Sequence, residues 1–188
     1  MSASLVGSEM CIRDRYDAAN DYRISFFQRV SSDSIALVNK FPMDSDVSHR
    51  VSDVLMLRVA EGYLNMAEAC AMLGDAGANT YLNALRRMRI GGYADQNYTG
   101  DELIGQVREE RRKELCFEGH RWFDLRRQGM PEIKHTYKAE KGGAVYEYVL
   151  QQGDPMYTLP FPNSVVLQNR ALVQNPSREM GARQGEIQ

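Results

Sequence analysis

Residues 57–73 read LRVAEGYLNMAEACAML, and their apolar side chains recur at helical spacing. Intervals of three and four residues separate the members of one apolar stripe, and a second stripe repeats this pattern one residue earlier. Together the stripes predict a helix over residues 53–73 with a wide buried face, capped by Asp53 and ended by Gly74. The first stripe is Leu57, Ala60, Leu64, Ala67 and Ala71, and the second is Met56, Val59, Tyr63, Met66 and Cys70.

A second helix is predicted at about residues 78–90, where an apolar stripe is followed by Gly91 and Gly92. Two helices joined by a few residues pack antiparallel, and the pair has about the length of one tetratricopeptide repeat, which is about 34 residues. The sequence therefore predicts a tetratricopeptide-like helical hairpin.

A third helix is expected to begin at Thr99, because Thr99 and Glu102 match a capping box, and to run to Glu118. A short fourth helix follows from Arg121 to Gln128. Beyond it, residues 145–150 alternate in a way that favours a short strand. The predicted fold class is mainly α, with tetratricopeptide-like antiparallel helix pairs, irregular loops and at most short strands.

Composition and motifs argue against several classes of function. The 188 residues carry 23 Lys and Arg against 25 Asp and Glu, a net charge of −2, whereas nucleic-acid binders usually carry a basic excess. No apolar window is long enough to cross a bilayer. The three cysteines and three histidines lack the spacing of a metal site, so no metal and no cofactor is predicted. No nucleophile or phosphate-loop motif is present, and we predict that the protein is not an enzyme.

The N-terminal segment 1–15 has no signal-peptide pattern, because its apolar run is too short. Its residues 10–15 (MCIRDR) resemble the translation of a sequencing adapter, so we expect this segment to be foreign and omit it from fold prediction. The remaining chain is expected to comprise one domain over residues 16–176 and a polar, disordered tail over residues 177–188.

The charged string over residues 109–118 contains Glu110 and Glu114 one helical turn apart. Paired acids of a glycosidase usually come from different elements, so we interpret the string as a charge network linking the third and fourth helices. Arg111 falls on the apolar side of its helix and is expected to be partly buried and paired with an acid such as Asp124. We assign structural roles to Arg111, Trp122, Phe123, Asp124 and Arg126.

Aromatic side chains that could stack on sugars are few. Trp122, the single tryptophan, has apolar neighbours at helical spacing, which favours packing in a core. Tyr93 and Tyr98, in the loop between the second and third helices, are better placed as exposed platforms, although their position alone favours ordinary loop tyrosines.

Five blocks of the sequence, in the same order, resemble signatures of the SusD/RagB family. They are residues 57–69 (LRVAEGYLNMAEA), 82–89 (LNALRRMR), 109–127 (EERRKELCFEGHRWFDLRR), 159–162 (LPFP) and 174–176 (QNP). A series of blocks in order is far more specific than a single motif. The chain therefore resembles the C-terminal portion of a SusD-like protein.

This resemblance implies an outer-membrane lipoprotein that binds glycans at the cell surface as the partner of a SusC-like, TonB-dependent transporter. Family members are longer, and the resemblance implies that the lipid anchor and most sugar-binding residues lie upstream of this chain. The glycan-binding residues are thus unknown, Tyr93 and Tyr98 are weak candidates, and this chain alone is expected to bind no glycan measurably. The alternatives are a tetratricopeptide-type scaffold for a peptide or protein partner, and a glycoside hydrolase.

Overall fold

The structure is a computed structural model that describes residues 12–29, 36–38, 40–41, 56–138, 143–179 and 185–187. The chain divides into two compact units. We call Ile12–Gly119 the helical unit and His120–Gln188 the sheet unit. None of the helices in the described ranges is long and apolar enough to cross a membrane.

The helical unit is built on three helices: α1 (Val59–Met72), α2 (Gly77–Arg87) and α3 (Gly100–Glu114). A short connection returns the chain from α1 to α2, and α1 contacts both α2 and α3. Before α1, the short antiparallel strands β1 (Phe27–Arg29) and β2 (Ala36–Val38) pair with each other. The tetratricopeptide-like hairpin that the periodicity predicts is confirmed.

Small and branched side chains form the core of the helical unit. One cluster joins α1, α2 and α3, and a second joins the beginning of α1 to the end of α2 and Leu115. Alanines let the helix axes approach closely. The first apolar stripe of α1 therefore packs against both α2 and α3. The two clusters are Ala67, Ala71, Ala78, Leu82, Leu103 and Val107, and Ala60, Leu64, Leu85 and Leu115.

The second apolar stripe of α1, which we predicted to be buried, is largely exposed. Val59 is 78% exposed, Met66 47% and Tyr63 40%, and Leu57 of the first stripe is 90% exposed. Of the two stripes predicted to be buried, essentially only the first is. The buried face of α1 is therefore about half as wide as predicted. The reason is geometric, because α2 and α3 both contact the stripe that contains Leu64, and no other described element covers the second stripe.

Helix α1 begins six residues later than predicted, at Val59 rather than at 53, and the predicted cap Asp53 lies outside the described residues. Arg58 occupies the N-cap position and gives no side-chain cap, since its guanidinium has no acceptor. That guanidinium instead donates to Glu114 and Glu118. A long-range ion pair thus fixes the entry to α1.

The predicted capping box at the start of α3 is wrong. Thr99 is the N-cap residue, but its side chain makes no cap hydrogen bond. The helix also ends at Glu114, not at Glu118. Side chains account for this early end, because the Glu114 backbone carbonyl accepts from Arg58 Nη2 at 3.0 Å and from Lys40 Nζ at 2.6 Å. Phe117 then adopts a positive φ of 64°, which a helix cannot contain.

Thr99→Ala is consequently expected to change the free energy of unfolding by less than about 0.5 kcal/mol, as for an ordinary surface residue. A functioning N-cap would contribute about 1 kcal/mol. Urea denaturation followed by circular dichroism measures the difference, and a loss of 1 kcal/mol or more would show that the hydroxyl does cap α3 in solution.

The sheet unit begins with α4 (His120–Arg127), which ends before Gly129 at a positive φ of 96°. Strands β3 (Ile133–Lys138), β4 (Val145–Leu150) and β5 (Glu186–Ile187) form an antiparallel sheet in that order. Helix α5 (Asn163–Gln168) lies between β4 and β5 in the chain. The strand over residues 145–150 is confirmed, whereas β3 and α5 were not predicted.

Two segments that we set aside contain ordered structure where they are described. Ile12–Arg15 forms a turn of 3-10 helix, and Arg15 Nη1 lies 2.8 Å from Glu109 Oε2. The tail over residues 177–188, expected to be disordered, includes part of a 3-10 turn at Pro176–Glu179 and all of β5, whose Ile187 pairs with Tyr146. The neighbouring strand β4 supplies the backbone partners of β5, and the disorder of the tail as a whole stays a prediction.

Candidate functional site

The most densely bonded site in the helical unit is a buried ionic network centred on Arg23. Its guanidinium is about 1% exposed and donates through Nη1 to Glu110 Oε1 at 2.6 Å and to Glu114 Oε2 at 3.1 Å. Its other nitrogens bind the carboxylate of Asp21 at 2.8 and 2.9 Å. Arg23 therefore joins the segment before β1 to α3.

Four further cations complete the buried ionic network. Arg86 Nε donates to the second oxygen of Glu110 at 2.8 Å. Glu114 also accepts from Arg58 at 3.0 Å and from Arg89 at 2.9 and 3.0 Å. The remaining acid, Glu118, pairs with Arg58 and Lys40. The members of the buried ionic network are Asp21, Arg23, Lys40, Arg58, Arg86, Arg89, Glu110, Glu114 and Glu118.

The ionisation of Glu114 follows from these contacts. Burial acts to raise the pKa of its carboxyl, but the hydrogen bonds and charges of Arg89, Arg23 and Arg58 outweigh burial and lower the pKa. Conversely, burial acts to lower the pKa of Arg58 and Arg86, and their carboxylate partners raise it. The charged forms of both signs are therefore the stable ones in the fold.

These carboxylates cannot serve as the acids of a hydrolase. Both oxygens of Glu110 and both oxygens of Glu114 accept hydrogen bonds from arginines, and both side chains are fully buried. A general acid or base must reach the substrate. Glu110 and Glu114 therefore belong to a charge network, with the partners Arg23, Arg58, Arg86 and Arg89, which the sequence analysis did not identify. The predicted link between the third and fourth helices stays a prediction.

The residues to which we assigned structural roles lie in both units. Arg111 is 7% exposed and donates through Nη1 to Asn65 Oδ1 at 2.7 Å. In the sheet unit, Asp124 is buried and accepts from Arg127 at 2.9 Å, while Arg126 is exposed. The pairing of Arg111 with Asp124 stays a prediction.

Trp122 packs inside the sheet unit. Its ring stacks on Tyr157 with the centroids 4.9 Å apart and an interplanar angle of 23°. Tyr157 is 1% exposed and donates its hydroxyl to the Pro131 carbonyl at 2.5 Å. The neighbouring Phe123, to which we also assigned a structural role, is 67% exposed. Trp122 therefore packs against Tyr157, whereas Phe123 lies at the surface of the sheet unit, and its structural role stays a prediction.

Tyr93 and Tyr98, the candidates for sugar contact, are less exposed than we expected. Tyr93 donates its hydroxyl to Asn83 Oδ1 at 2.8 Å. The Arg86 guanidinium lies 5.8 Å from the centroid of the Tyr98 ring, and that ring packs against the core. Asn79 binds both backbone groups of Tyr98 at 3.0 Å. These contacts favour a role in anchoring the loop, and sugar binding by either tyrosine stays an untested prediction.

The sheet unit presents a cluster of aromatic side chains that the sequence analysis missed. In an antiparallel pair, directly opposed residues lie on the same face of the sheet. His135 opposes Tyr148, and Tyr137 opposes Tyr146, so these four side chains share one face. We call this surface the tyrosine face, and it comprises Ile133, His135, Tyr137, Tyr146, Tyr148 and Leu150.

A second exposed surface lies on the helical unit, where α1 and α2 form a groove of about 310 Å³. Its lining is almost entirely apolar, and the rings of Tyr63 and Tyr81 meet edge to face with centroids 6.1 Å apart. We call this surface the α1 groove. It is lined by Val59, Gly62, Tyr63, Met66 and Tyr81.

Neither surface has the donors of a metal centre. Within the described ranges, no group of three or more His, Cys, Asp or Glu side chains is arranged to hold a metal ion. Cys116 lies 3.2 Å from the Tyr16 hydroxyl, and burial raises the pKa of its thiol. Such a thiol is a poor nucleophile and a poor ligand.

A helical hairpin with a buried ionic network, followed by a small antiparallel sheet with an aromatic face, defines a mainly α fold of the tetratricopeptide-like class. The family model of the SusD family matches residues 19–177, and the chain belongs to this family. This match agrees with the resemblance that the five sequence blocks carry.

Solved structures are similar to this chain over part of their length. A SusD-like carbohydrate binding protein from Bacteroides vulgatus matches 86% of this chain at 23% identity and a TM-score of 0.61. A SusD-like protein from Bacteroides fragilis matches 66% of this chain at 28% identity and a TM-score of 0.51. The chain spans 40% and 26% of the length of these two proteins. Comparison with curated proteins gives no match.

Proposed function

We propose that the natural protein captures glycans at the bacterial cell surface as a non-catalytic binding protein. The observation that carries this proposal is the SusD family match over residues 19–177, supported by a structural neighbour described as a carbohydrate binding protein. The complete pairing of Glu110 and Glu114 agrees with binding rather than hydrolysis.

Affinity electrophoresis tests this proposal. The natural gene product is run through gels that contain each of a broad panel of neutral and acidic polysaccharides, and the mobility is compared with that in a gel without glycan. Retardation by at least one glycan, without release of reducing sugar, supports capture without catalysis. Binding to none of the panel would contradict the proposed function.

We further propose that the protein works at the outer membrane as a lipoprotein, partnered by a SusC-like, TonB-dependent transporter. The α1 groove supports a protein contact, because Val59, Met66 and their apolar neighbours are exposed on one helix face. Contiguous apolar patches of this kind mark sites of protein association. The same surface would also suit the alternative, a scaffold that binds a peptide.

Charged substitutions in the α1 groove distinguish these partners. Val59→Glu with Met66→Glu is expected to reduce co-purification of the transporter with the natural protein at least tenfold, since burying two unpaired carboxylates is costly. Glycan retardation should be unchanged. Glu61→Gln serves as the matched control on α1, at a position that does not line the groove.

Three other outcomes are informative. Undiminished co-purification by the Val59→Glu, Met66→Glu variant would exclude this groove as the transporter contact. Loss of a peptide ligand, with the transporter retained, would favour the scaffold. Loss of folding, seen by circular dichroism, would mean that the groove is covered by another part of the natural protein.

A further inference from the structure

We propose that the tyrosine face of the sheet unit is itself a sugar-contact surface, which stacks on the rings of a neutral oligosaccharide. This inference rests on the proposed function and adds a location and a ligand class to it. It departs from our expectation that the chain alone binds no glycan, which rested on the family's sugar-binding residues lying upstream.

The sheet presents the aromatic rings on two adjacent strands. Tyr137 on β3 directly opposes Tyr146 on β4, and Tyr148 follows two residues later on the same face. Directly opposed side chains have Cβ atoms about 5 Å apart, and same-face neighbours along a strand lie about 7 Å apart. The three rings therefore form one continuous aromatic surface, wide enough for more than one sugar ring.

Two of the three rings are accessible to a ligand, since Tyr137 is 37% exposed and Tyr148 36% exposed. Tyr146, between them on the face, is partly buried. Among the described residues, no aromatic ring stacks on Tyr137, Tyr146 or Tyr148. The face of a pyranose that carries axial C–H groups is apolar and slightly positive, and it is attracted to the negative face of an aromatic ring.

The hydroxyl groups distinguish these tyrosines from those used for structure. Tyr16, Tyr93 and Tyr157 each donate a hydroxyl to a named protein acceptor. In contrast, no described residue forms a hydrogen bond with the hydroxyls of Tyr137, Tyr146 and Tyr148. Each can act as donor and acceptor at once, and the exposed imidazole of His135 adds two further polar atoms. Sugar hydroxyls need partners of this kind at the rim of an aromatic platform.

The absence of charge selects the ligand class. The tyrosine face contains Ile133, His135 and Leu150 beside its tyrosines, with no Asp, Glu, Lys or Arg at any position of the face. Lys134 and Glu147 occupy alternate positions, which point to the opposite side of the sheet. An acidic polysaccharide would find no cationic partner here, so a neutral glycan fits better.

Strand β5 borders this surface. Gly185, just before β5, approaches Tyr148 so closely that an added Cβ would lie 2.7 Å from Cζ of the ring. A side chain at position 185 would have to displace the ring. The backbone at Gly185 therefore helps to fix the orientation of Tyr148, and a fixed ring loses less conformational freedom on binding.

Affinity electrophoresis of this 188-residue chain, with a panel of neutral glycans and one acidic glycan, tests the proposal. The parent chain is expected to be retarded by at least one neutral glycan. The double substitution Tyr137→Ala with Tyr148→Ala should weaken that binding roughly tenfold or more, since both stacking surfaces are lost. Tyr137→Phe with Tyr148→Phe keeps the rings and should retain more of the affinity than the alanine pair.

Tyr22→Ala is the matched control, because Tyr22 is 64% exposed in the helical unit and should be dispensable. Fluorescence of Trp122, which stacks on Tyr157 in the sheet unit, reports whether each variant is folded. No retardation of the folded parent chain by any neutral glycan, or equal binding by the folded alanine pair, would overturn the proposal. Stronger retardation by the acidic glycan would overturn the ligand class.

The same alanine pair in the natural gene product separates this inference from the proposed function. If the natural protein binds a glycan and the alanine pair binds it equally, the proposed function stands and the tyrosine face is excluded. If the natural protein binds no glycan at all, the proposed function fails as well.

Discussion

Replacing Arg23 by alanine is expected to lower the free energy of unfolding of the helical unit by about 3–5 kcal/mol, the range found when one partner of a buried ion pair is removed. The substitution leaves Asp21, Glu110 and Glu114 buried around an empty space, and all three acids lose the guanidinium with which they pair. Urea denaturation at neutral pH, followed by circular dichroism, measures the loss.

The control for Arg23 is Arg87→Ala. Arg87 also makes a two-nitrogen contact with a carboxylate, that of Asp95, but both side chains are about half exposed. An exposed pair contributes only about 0–1 kcal/mol. Equal losses for the two alanine variants would show that burial of Arg23 does not determine the stability of the unit.

Arg23→Lys keeps the experiment informative if the alanine variant does not fold. Lysine retains the charge but lacks the planar fork that reaches two carboxylates at once. We expect a stability between those of the parent and the alanine variant. A lysine variant as stable as the parent would mean that charge alone suffices, without the guanidinium geometry.

Glu114→Gln is the second large perturbation, with an expected loss of about 3–5 kcal/mol at neutral pH. Glutamine keeps the size of the side chain but removes the charge that Arg23, Arg58 and Arg89 share. The amide nitrogen of the glutamine is itself a hydrogen-bond donor, and it would face the N–H donors of these arginines. Glu109→Gln is the control, because Glu109 pairs with Arg15 at the surface and is about one third exposed.

The same variant should change the response to acid. Glu114 has a lower pKa in the fold than in the unfolded chain, where a glutamate titrates at about 4.3. Its contribution is present above that value and is lost as the pH falls through the folded pKa. The parent should lose stability below about pH 4.3, and Glu114→Gln should lose less over that range. Parallel acid profiles for the two proteins would contradict this assignment.

Local patterns in the sequence were sufficient for the helices but not for their contacts. The spacing of Ala60, Leu64 and Ala67 predicted the buried side of α1, because three- and four-residue intervals are a local property. The exposure of Val59 depends on which side α2 and α3 occupy, and nothing local encodes that choice. Periodicity therefore identified a helix and overestimated the width of its buried face.

The buried ionic network shows more clearly that local sequence patterns do not identify long-range contacts. The acids of residues 109–118 were identified as a network, yet Arg23 was not, since it precedes Glu110 by 87 residues and Glu114 by 91. Nothing in the local pattern around Arg23 distinguishes a central buried cation from a surface one. Only the fold shows which arginine meets which acid.

The tyrosine face was missed for a related reason. Residues 145–150 were predicted as a strand, so Tyr146 and Tyr148 were already on one face. Their partner β3 was not predicted, and without the register between the strands Tyr137 could not be placed beside them. Tyr93 and Tyr98 were chosen from their position in a loop, where the structure shows contacts with Asn83, Asn79 and the core.

The sequence distance between the partners of Arg23 also bears on how the helical unit unfolds. Contacts between residues this far apart along the chain close large loops, so we expect them to form after the α1–α2 hairpin, whose contacts are local. Interactions that form after the transition state for folding act mainly on the rate of unfolding. The buried ionic network would then determine how long the folded unit persists, more than how quickly it forms.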